Sequence, residues 1–172
     1  MTNFSAPILV RWAVDGDETA FKQVVRITQH AWYAGIVSHD DIDALADGTR
    51  SSWKDWQDRR STPVGLLVAG DGATVAGGAN LVMHHDGSAE LTTMYVLPEY
   101  AGRGIGIALW DGCLQALQDR GVESMQVWIA VEATWATRFY EHRGCTVFAH
   151  GIMVIGTQTV PHVGYRIAIP RL

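Results

Sequence analysis

Residues 91–107, with the sequence LTTMYVLPEYAGRGIGI, join an extended run to a helix through a glycine-spaced turn. The extended run ends at Pro98, and three glycines then alternate with larger residues before the helix begins. Glycine lacks side-chain bulk, so the backbone N–H groups of such a turn can approach a ligand closely. The start of a helix also carries partial positive charge and unpaired N–H groups. The turn therefore predicts a site for an anion such as a diphosphate.

The same segment resembles the acyl-CoA-binding signature of the GNAT N-acetyltransferase superfamily. That signature reads Gln/Arg-x-x-Gly-x-Gly/Ala after a strand, and Gly104 and Gly106 occupy its two small positions. Ala101 stands where the family usually has Gln or Arg. The resemblance implies that the turn holds the diphosphate of acetyl-CoA through Ala101, Gly102, Arg103, Gly104, Ile105, Gly106 and Ile107.

A second segment, residues 125–145 with the sequence MQVWIAVEATWATRFYEHRGC, resembles the next strand and helix of that family. The family pattern is Asn-x-x-Ala-x-x-Phe-Tyr-x-x-x-Gly-Phe, and the residues that match it are Ala136, Phe139, Tyr140 and Gly144. Ala133 replaces the usual Asn, and Cys145 replaces the usual Phe. The resemblance implies that Ala133, Ala136 and Tyr140 contact acetyl-CoA.

Hydrophobic periodicity and turn residues predict an α/β fold. The predicted strands cover residues 8–14, 64–69, 74–83, 89–96, 125–131, 146–155 and 163–169. Helices are predicted after residue 17, near residue 38, within 51–60, after the glycine turn and over 134–143. Antiparallel hairpins thus give way to a strand–helix–strand unit. The family resemblance implies a GNAT-like, mostly antiparallel mixed sheet with flanking helices and a splayed strand pair that holds acyl-CoA.

Length and composition favour one enzyme domain over residues 8–172, after a short extension over 1–7. A chain of 172 residues with 48% hydrophobic content is long enough for one sizeable core. Its formal net charge of −5 argues against a general nucleic-acid binder and favours a neutral or cationic acceptor. The sequence shows neither a membrane-spanning apolar run nor a secretory signal. We therefore expect a soluble, cytoplasmic protein without nucleic-acid or membrane partners.

The two cysteines, Cys113 and Cys145, lack the spacing of metal ligands. Cys113 falls on an apolar helical stripe, and Cys145 takes a core-facing position of the family pattern. We expect both thiols to be reduced core residues, and we expect no metal cofactor.

Acetyl transfer to an amine requires a neutral amine, stabilisation of the developing oxyanion and a proton for the leaving thiolate. By resemblance to the family, backbone N–H groups at Met94, Tyr95 and Val96 hold the acetyl carbonyl. Tyr140 matches the family tyrosine that faces the CoA sulfur. A phenol with its ordinary pKa of about 10 is protonated at neutral pH and can donate to the thiolate.

Glu90 is the candidate base, because it coincides with the glutamate that serves as base in the histone acetyltransferase branch of the superfamily. Its carboxylate could accept a proton through water if partial burial raises its pKa. His84 and His85 are alternatives, since histidine titrates near physiological pH, and His162 is a third. Ordered water alone is a further alternative.

Family resemblance places the first two helices and the C-terminal strands around the acceptor. The aromatic and ionisable residues in these parts are Trp32, Tyr33, Trp53, Trp56, His162 and Tyr165. Aromatic rings can cage an organic cation or form a flat apolar slot. We expect Trp32, Tyr33, Glu90 and Tyr165 to contact the acceptor. The run HAWYAGI over 30–36 resembles a segment of bacterial small-molecule acetyltransferases and favours a small amine.

The sequence thus predicts an acetyl-CoA-dependent N-acetyltransferase that acts on a small primary amine by direct attack in a ternary complex. An amino-acid-like compound or an amine-bearing toxin would be such an acceptor, and a homodimer is one option for the assembly. Two alternatives stay open. One is acetylation of protein N-termini or lysines, and the other is a non-catalytic module that binds acyl-CoA.

Overall fold

The computed structural model describes residues 7–46, 62–155 and 157–171. Within these ranges seven strands form one sheet in the order β1-β2-β3-β4-β5-β7-β6. The strands are β1 Leu9–Trp12, β2 Thr62–Gly70, β3 Val75–Met83, β4 Ala89–Val96, β5 Ser124–Ala130, β6 Thr146–Ile155 and β7 Gln158–Ala168. The α-helices of the same ranges are α1 Glu18–Trp32, α2 His39–Ala46, α3 Ile105–Gln118 and α4 Thr134–Glu141. The predicted α/β class is confirmed.

The sheet opens between β4 and β5, which run parallel, whereas every other neighbouring pair is antiparallel. The two strands pair only at Ala89 with Met125 and at Glu90 with Gln126. Beyond Glu90 they diverge, although β4 stays paired with β3 to its end at Val96 and β5 stays paired with β7. The expected splayed strand pair is therefore present in the middle of the sheet.

Helices α1 and α3 cover opposite faces of the sheet. Neighbouring residues of a strand point to opposite faces, and two adjacent glycines of β3 show what lies on each. A Cβ at Gly77 would lie 3.2 Å from Ile105 and 3.3 Å from Leu109 of α3. A Cβ at Gly78 would lie 2.4 Å from the ring of Phe21 on α1. The two glycines thus allow both helices to approach the backbone of β3 closely.

The inward face of α1 is an apolar stripe with one polar member. Phe21, Val24, Val25 and Thr28 are its buried residues, and they follow the spacing of one helix face. Phe21, Val24 and Val25 belong to a core cluster beneath the sheet. Thr28 continues the stripe toward the gap between β4 and β5. The residue is only 1% exposed to solvent.

Two element predictions need comment. Strand β7 begins at Gln158 rather than near residue 163, so the predicted start was wrong, and the strand includes Pro161. Pro161 lies opposite Ile152 of β6, and its carbonyl accepts a hydrogen bond from the N–H of Val131. The neighbouring β5 has ended by then, so the missing N–H of proline costs no ladder bond on that side. The helix predicted within 51–60 lies outside the described residues.

Asp41 ties the start of α2 to the turn between β6 and β7. Its carboxylate accepts hydrogen bonds from the Ser38 hydroxyl, from the Thr157 hydroxyl and from the Thr157 backbone N–H, at 2.9–3.1 Å. We expect Asp41→Ala to lower the free energy of unfolding by about 1–3 kcal/mol, because it removes three hydrogen bonds that a largely buried carboxylate accepts. Urea denaturation measures the change. The exposed neighbour Asp40 is the control, and equal effects of Asp40→Ala and Asp41→Ala would contradict the role of the tie.

Candidate active site

A cavity of about 570 Å³ occupies the gap between the diverging strands. Residues 91–96 of β4 and residues 127–130 of β5 form its walls. Thr28, Trp32 and Tyr33 of α1 and its C-terminal cap line it from one face of the sheet. Residues of α3 and α4 line it from the other face, among them Gly106, Ile107, Ala136, Phe139 and Tyr140. The cavity therefore passes through the sheet and can bring together ligands from both faces.

The glycine turn before α3 forms one end of the cavity. Gly102 and Gly104 have φ angles of +74° and +86°, which glycine adopts without strain. Gly104 is the N-cap of α3 and supplies no side-chain cap, so the N–H groups of the first helical turn have no partner within the helix. Five of the seven residues predicted for this turn line the cavity, namely Ala101, Gly102, Gly104, Gly106 and Ile107. The turn offers backbone donors to an anion.

The other two predicted turn residues lie outside the cavity lining. The Arg103 guanidinium lies over the Tyr100 ring, 5.3 Å from its centroid. Ile105 is buried in the main core cluster, where it anchors the first turn of α3. Tyr100 itself lines the cavity. Arg103 is thus held at the edge of the turn.

The only charged or readily charged side chains among the described residues that line the cavity are cationic. They are Arg138 and, just beyond α4, His142 and Arg143. The Arg143 guanidinium lies 4.0 Å from the centroid of the Phe139 ring. No carboxylate occurs among these lining residues. In a chain of net charge −5, this local excess of positive charge favours an anionic ligand at this mouth.

Tyr140 lies on the α3 face of the gap. Its ring centroid is 5.7 Å from that of Trp110 on α3, and Phe139 packs beside it. Burial raises the pKa of Tyr140 well above its usual range, so the phenol is protonated at every pH at which the protein would work. Its hydroxyl can therefore donate a proton or a hydrogen bond to a ligand atom that becomes negative.

Tyr33 and Tyr95 meet on the α1 face of the gap. The Tyr33 hydroxyl donates a hydrogen bond to Tyr95, which also accepts one from the Gln29 side chain. Proximity to Tyr95 and burial raise the pKa of Tyr33, and burial raises that of Tyr95. Both phenols are therefore neutral. Met94 and Val96 flank Tyr95 in the cavity wall.

Trp32 of α1 and Trp135 of α4 meet across the gap. Their ring centroids are 4.7 Å apart, and both residues line the cavity. Helix α4 lies on the α3 face of the sheet, because Tyr140 contacts Trp110, so the two tryptophans come from opposite faces. Trp135 was not among the predicted site residues. It lies exposed in the first turn of α4, and the other face of that helix carries the residues that match the family motif.

Glu90 lies at the last paired position of β4 and β5 and is not among the residues that line the cavity. Its carboxylate accepts hydrogen bonds from His84 Nε2 at 2.8 Å and from Gln126 Nε2 at 3.3 Å. The next residue, Leu91, does line the cavity. The structure thus brings Glu90 together with His84, one of the alternative bases, just beyond the closed end of the gap.

The remaining predicted site residues lie apart from the cavity lining. Tyr165 is buried on β7, and its hydroxyl donates to Glu141 Oε1 at 3.2 Å. His162 is buried on the same strand, with Nδ1 2.9 Å from the Val160 carbonyl oxygen. His85 is exposed in the turn between β3 and β4. Trp53 and Trp56 lie outside the described residues, whereas Ala133 and Ala136 do line the cavity.

Both cysteines are buried and free. Burial raises the pKa of Cys113 to about 12 and that of Cys145 to about 11, so neither is a thiolate at neutral pH. Across the described part of the chain, no group of three or more His, Cys, Asp or Glu side chains is placed to hold a metal ion. Over the same residues, no helix has the length and apolar character needed to cross a membrane.

Two relatives share part of this sequence. Mycothiol acetyltransferase of Propionibacterium freudenreichii is 30% identical over 121 residues, which cover 67% of this chain and 38% of the relative. Mycothiol acetyltransferase of Beutenbergia cavernae is 36% identical over 130 residues, which cover 70% of this chain and 42% of the relative. The chain thus spans about two fifths of the length of these relatives.

Solved structures share the fold. The PaiA N-acetyltransferase of Thermoplasma acidophilum in complex with coenzyme A has a TM-score of 0.75 at 21% identity, covering 91% of this chain and 98% of that one. A GCN5-related N-acetyltransferase of Rhodopseudomonas palustris has a TM-score of 0.75 at 20% identity, covering 95% and 96%. The model of the acetyltransferase (GNAT) family matches residues 22–145, which is most of the sequence. The chain therefore belongs to the GNAT acetyltransferase family.

Proposed function

We propose that this chain transfers an acetyl group from acetyl-CoA to the primary amine of a small molecule. The observation that carries the proposal is the cavity through the sheet, which joins a glycine turn with free N–H groups to a buried, protonated tyrosine. A diphosphate at the turn and a thioester beside Tyr140 would occupy the two parts of one continuous space. Family membership and the names of the relatives support acetyl transfer.

The residues around the gap fit coenzyme A. The N–H groups of the turn from Gly102 to Ile107 would hold the diphosphate of coenzyme A. Arg138 and Arg143 would attract the third phosphate group of coenzyme A. On the side of β4 that faces β5, the backbone beyond Glu90 has no strand to pair with. The amides of the pantetheine arm would supply partners for this backbone. The N–H groups near Met94 and Val96 would then hold the thioester carbonyl.

Direct attack in a ternary complex needs no covalent enzyme intermediate. The amine nitrogen attacks the carbonyl carbon, a C–N bond forms, and the C–S bond breaks as the carbonyl is restored. The nitrogen loses one proton to a base, and the CoA sulfur gains one from Tyr140. The base then returns a proton to Tyr140 through solvent, so the products are the amide and the free thiol. Both buried cysteines stay outside this sequence.

Glu90 with His84 is the base that we propose. The pair lies one residue before the cavity wall at Leu91, so a water molecule at the closed end of the gap would connect the nitrogen to the carboxylate. His84 donates to Glu90 and orients the carboxylate. No described residue of the cavity lining is a carboxylate, and Glu90 is the carboxylate that adjoins the wall residue Leu91 at the closed end of the gap.

Glu90→Gln keeps the side-chain size and the acceptor for His84 but removes the basic oxygen. We expect kcat to fall by about 10- to 100-fold, with CoA affinity unchanged. Steady-state rates at saturating acceptor measure this. The exposed Glu132 provides the control substitution, Glu132→Gln. A raised KM with kcat and its pH profile intact would instead show that Glu90 attracts the acceptor.

A thiol-release assay with acetyl-CoA tests the function itself. We expect free CoA to appear with members of a panel of small primary amines, together with a mass increase of one acetyl group on the amine. Release only with peptides would favour acetylation of protein N-termini or lysines. If CoA binds but neither panel releases free thiol from acetyl-CoA, a non-catalytic acyl-CoA-binding module is favoured. The replacements at Ala101 and Ala133 in the family motifs are consistent with such a module.

A further inference from the structure

Thr28 lines the cavity from α1 and carries a buried hydroxyl without a partner among the described residues. The residue is 1% exposed, it lines the cavity from α1, and its Oγ1 has no hydrogen-bond partner among the described residues. A hydroxyl that is buried and unpaired costs free energy, and native structures keep few of them. An unpaired oxygen in a cavity wall therefore points to a ligand that supplies a donor there.

Other neutral oxygens belong to the same face of the gap as this hydroxyl. Gln29, the next residue of α1, has a buried Oε1 that likewise has no partner among the described residues. Its amide donates to Tyr95, which accepts a second hydrogen bond from Tyr33. We call the part of the cavity bounded by Thr28, Trp32, Tyr33 and Tyr95 the α1-side chamber. Its polar atoms are hydroxyl and amide oxygens, and its remaining wall is aromatic.

Among the described residues, the chamber offers no anionic side chain to balance a positive charge. The titratable groups described on its walls include Tyr33, Tyr95 and, from α4, Tyr140. Proximity to Tyr95 and burial raise the pKa of Tyr33, and burial raises the pKa of Tyr95 and Tyr140, so all three are neutral. The basic side chains of the described lining are Arg138, His142 and Arg143. Glu90 lies outside the lining, where it is already paired with His84. An ammonium ion would lose its hydration here without gaining a counter-ion.

We propose that the α1-side chamber binds the amino group of the acceptor as the uncharged free base, with its N–H groups donated to neutral oxygens that include Thr28 Oγ1. The acceptor class is then a weakly basic primary amine on an apolar or aromatic body, and polycationic amines are poor substrates. This inference rests on the proposed function and assigns its acceptor. The ammonium ion loses one proton to solvent when it binds. During the attack the nitrogen loses a second proton, and only this one passes to the base.

Proton release on binding tests the proposal without turnover. The protein is first saturated with CoA, which carries no acetyl group, and 2-phenylethylamine is then titrated in by calorimetry at pH 7 in two buffers of different ionisation enthalpy. We expect about one proton to be released per amine bound, because the amine is an ammonium ion in solution at this pH. The 2,2-difluoro analogue has nearly the same shape and a much less basic nitrogen, so it should release fewer protons and bind more tightly at pH 7.

Thr28→Val tests the contact, because valine matches threonine in shape and removes only the hydroxyl. Amine affinity should fall by about 3- to 10-fold, as expected for one neutral hydrogen bond. The unliganded variant should be more resistant to urea than the parent, since an unpaired buried hydroxyl has been removed. The same change at the exposed Thr19 of α1 is the control and should alter neither property.

Three results would overturn the inference. They are binding of either amine without proton release, stronger binding of a polyamine than of both phenyl amines, and unchanged amine affinity in a folded Thr28→Val protein. Failure of all the amines to bind CoA-saturated protein would overturn it as well. Failure of the proposed function has a different signature, because either CoA would not saturate the protein in the first titration or amines that bind would release no thiol from acetyl-CoA.

Discussion

Replacing Gly106 with valine should lower the affinity for CoA by about 100-fold or more while the protein stays folded. Gly106 lies in the first turn of α3 and lines the cavity, where a Cβ would lie 3.6 Å from the Phe139 ring and 3.9 Å from Val96. That spacing admits the Cβ, but the added methyl groups would project toward the place where the diphosphate must approach the backbone. Losing two hydrogen bonds to a charged group costs about 3 kcal/mol or more, which is at least about 100-fold in affinity.

Calorimetric titration of CoA measures this loss, and Gly106→Ala should give a smaller one. Gly104 and Gly121 form a matched pair for the turn itself, because both have positive φ angles, +86° and +70°, and room for a Cβ. Alanine at either position should cost similar stability, about 1–2 kcal/mol. Only Gly104→Ala should weaken CoA binding. Unchanged CoA affinity in folded Gly104 and Gly106 variants would show that the diphosphate lies elsewhere and would remove the basis of the proposed function.

Tyr140→Phe should reduce turnover by roughly 10- to 1000-fold with little change in CoA affinity. Phenylalanine keeps the packing against Trp110 but removes the proton that the thiolate would receive. Single-turnover rates with acetyl-CoA and a reactive amine measure the chemical step. Tyr165→Phe removes a phenol that lies outside the cavity lining and should leave the chemical step unchanged. Equal rates for Tyr140→Phe and the parent protein would reduce Tyr140 to a packing residue.

The pH dependence of the parent protein follows from the raised pKa of Tyr140. A general acid works only while it is protonated, so its contribution is lost as pH rises through its folded-state pKa. Because burial moves that pKa above the ordinary value of about 10, turnover should show no basic limb from Tyr140 up to about pH 10. A fall in kcat well below that pH would have to come from another group.

Much of the fold could be predicted from local patterns. The strand ends at Ala89 and Val96 were correct because the hairpin glycine before β4 and Pro98 after it mark both limits. The position of the glycine turn was also predicted correctly, because a backbone with a positive φ angle favours glycine and glycine is visible in the sequence. Periodicity could not reveal the divergence of β4 and β5, since each strand keeps its own alternation whether or not its neighbour is paired. Only the family resemblance predicted it.

The candidate site was harder to predict because it depends on contacts between distant residues. A bulge at Thr92 shifts the register of β4 on β3 between Leu91 and Thr93, so the pairing along the cavity wall cannot be counted from the hairpin turn. Thr28 shares one helical stripe with the apolar residues Phe21, Val24 and Val25. A single hydroxyl on such a stripe has the same spacing whether it bonds its own helix or faces a cavity. The sequence therefore cannot separate a structural threonine from one that meets a ligand.

The pairing of β4 with β5 at two positions also has a mechanical consequence. The chain on one side of the gap is continuous from β1 to α3, and the chain on the other side is continuous from β5 to β7. A small rotation of one half against the other about residues 89–90 and 125–126 would break no other strand pairing. The width of the gap is therefore set by side-chain contacts between the two halves, among them Trp110 with Tyr140 and Asp41 with Thr157, rather than by strand pairing. A thioester in the gap would join the two halves, and hydrogen exchange should slow on both sides when CoA binds.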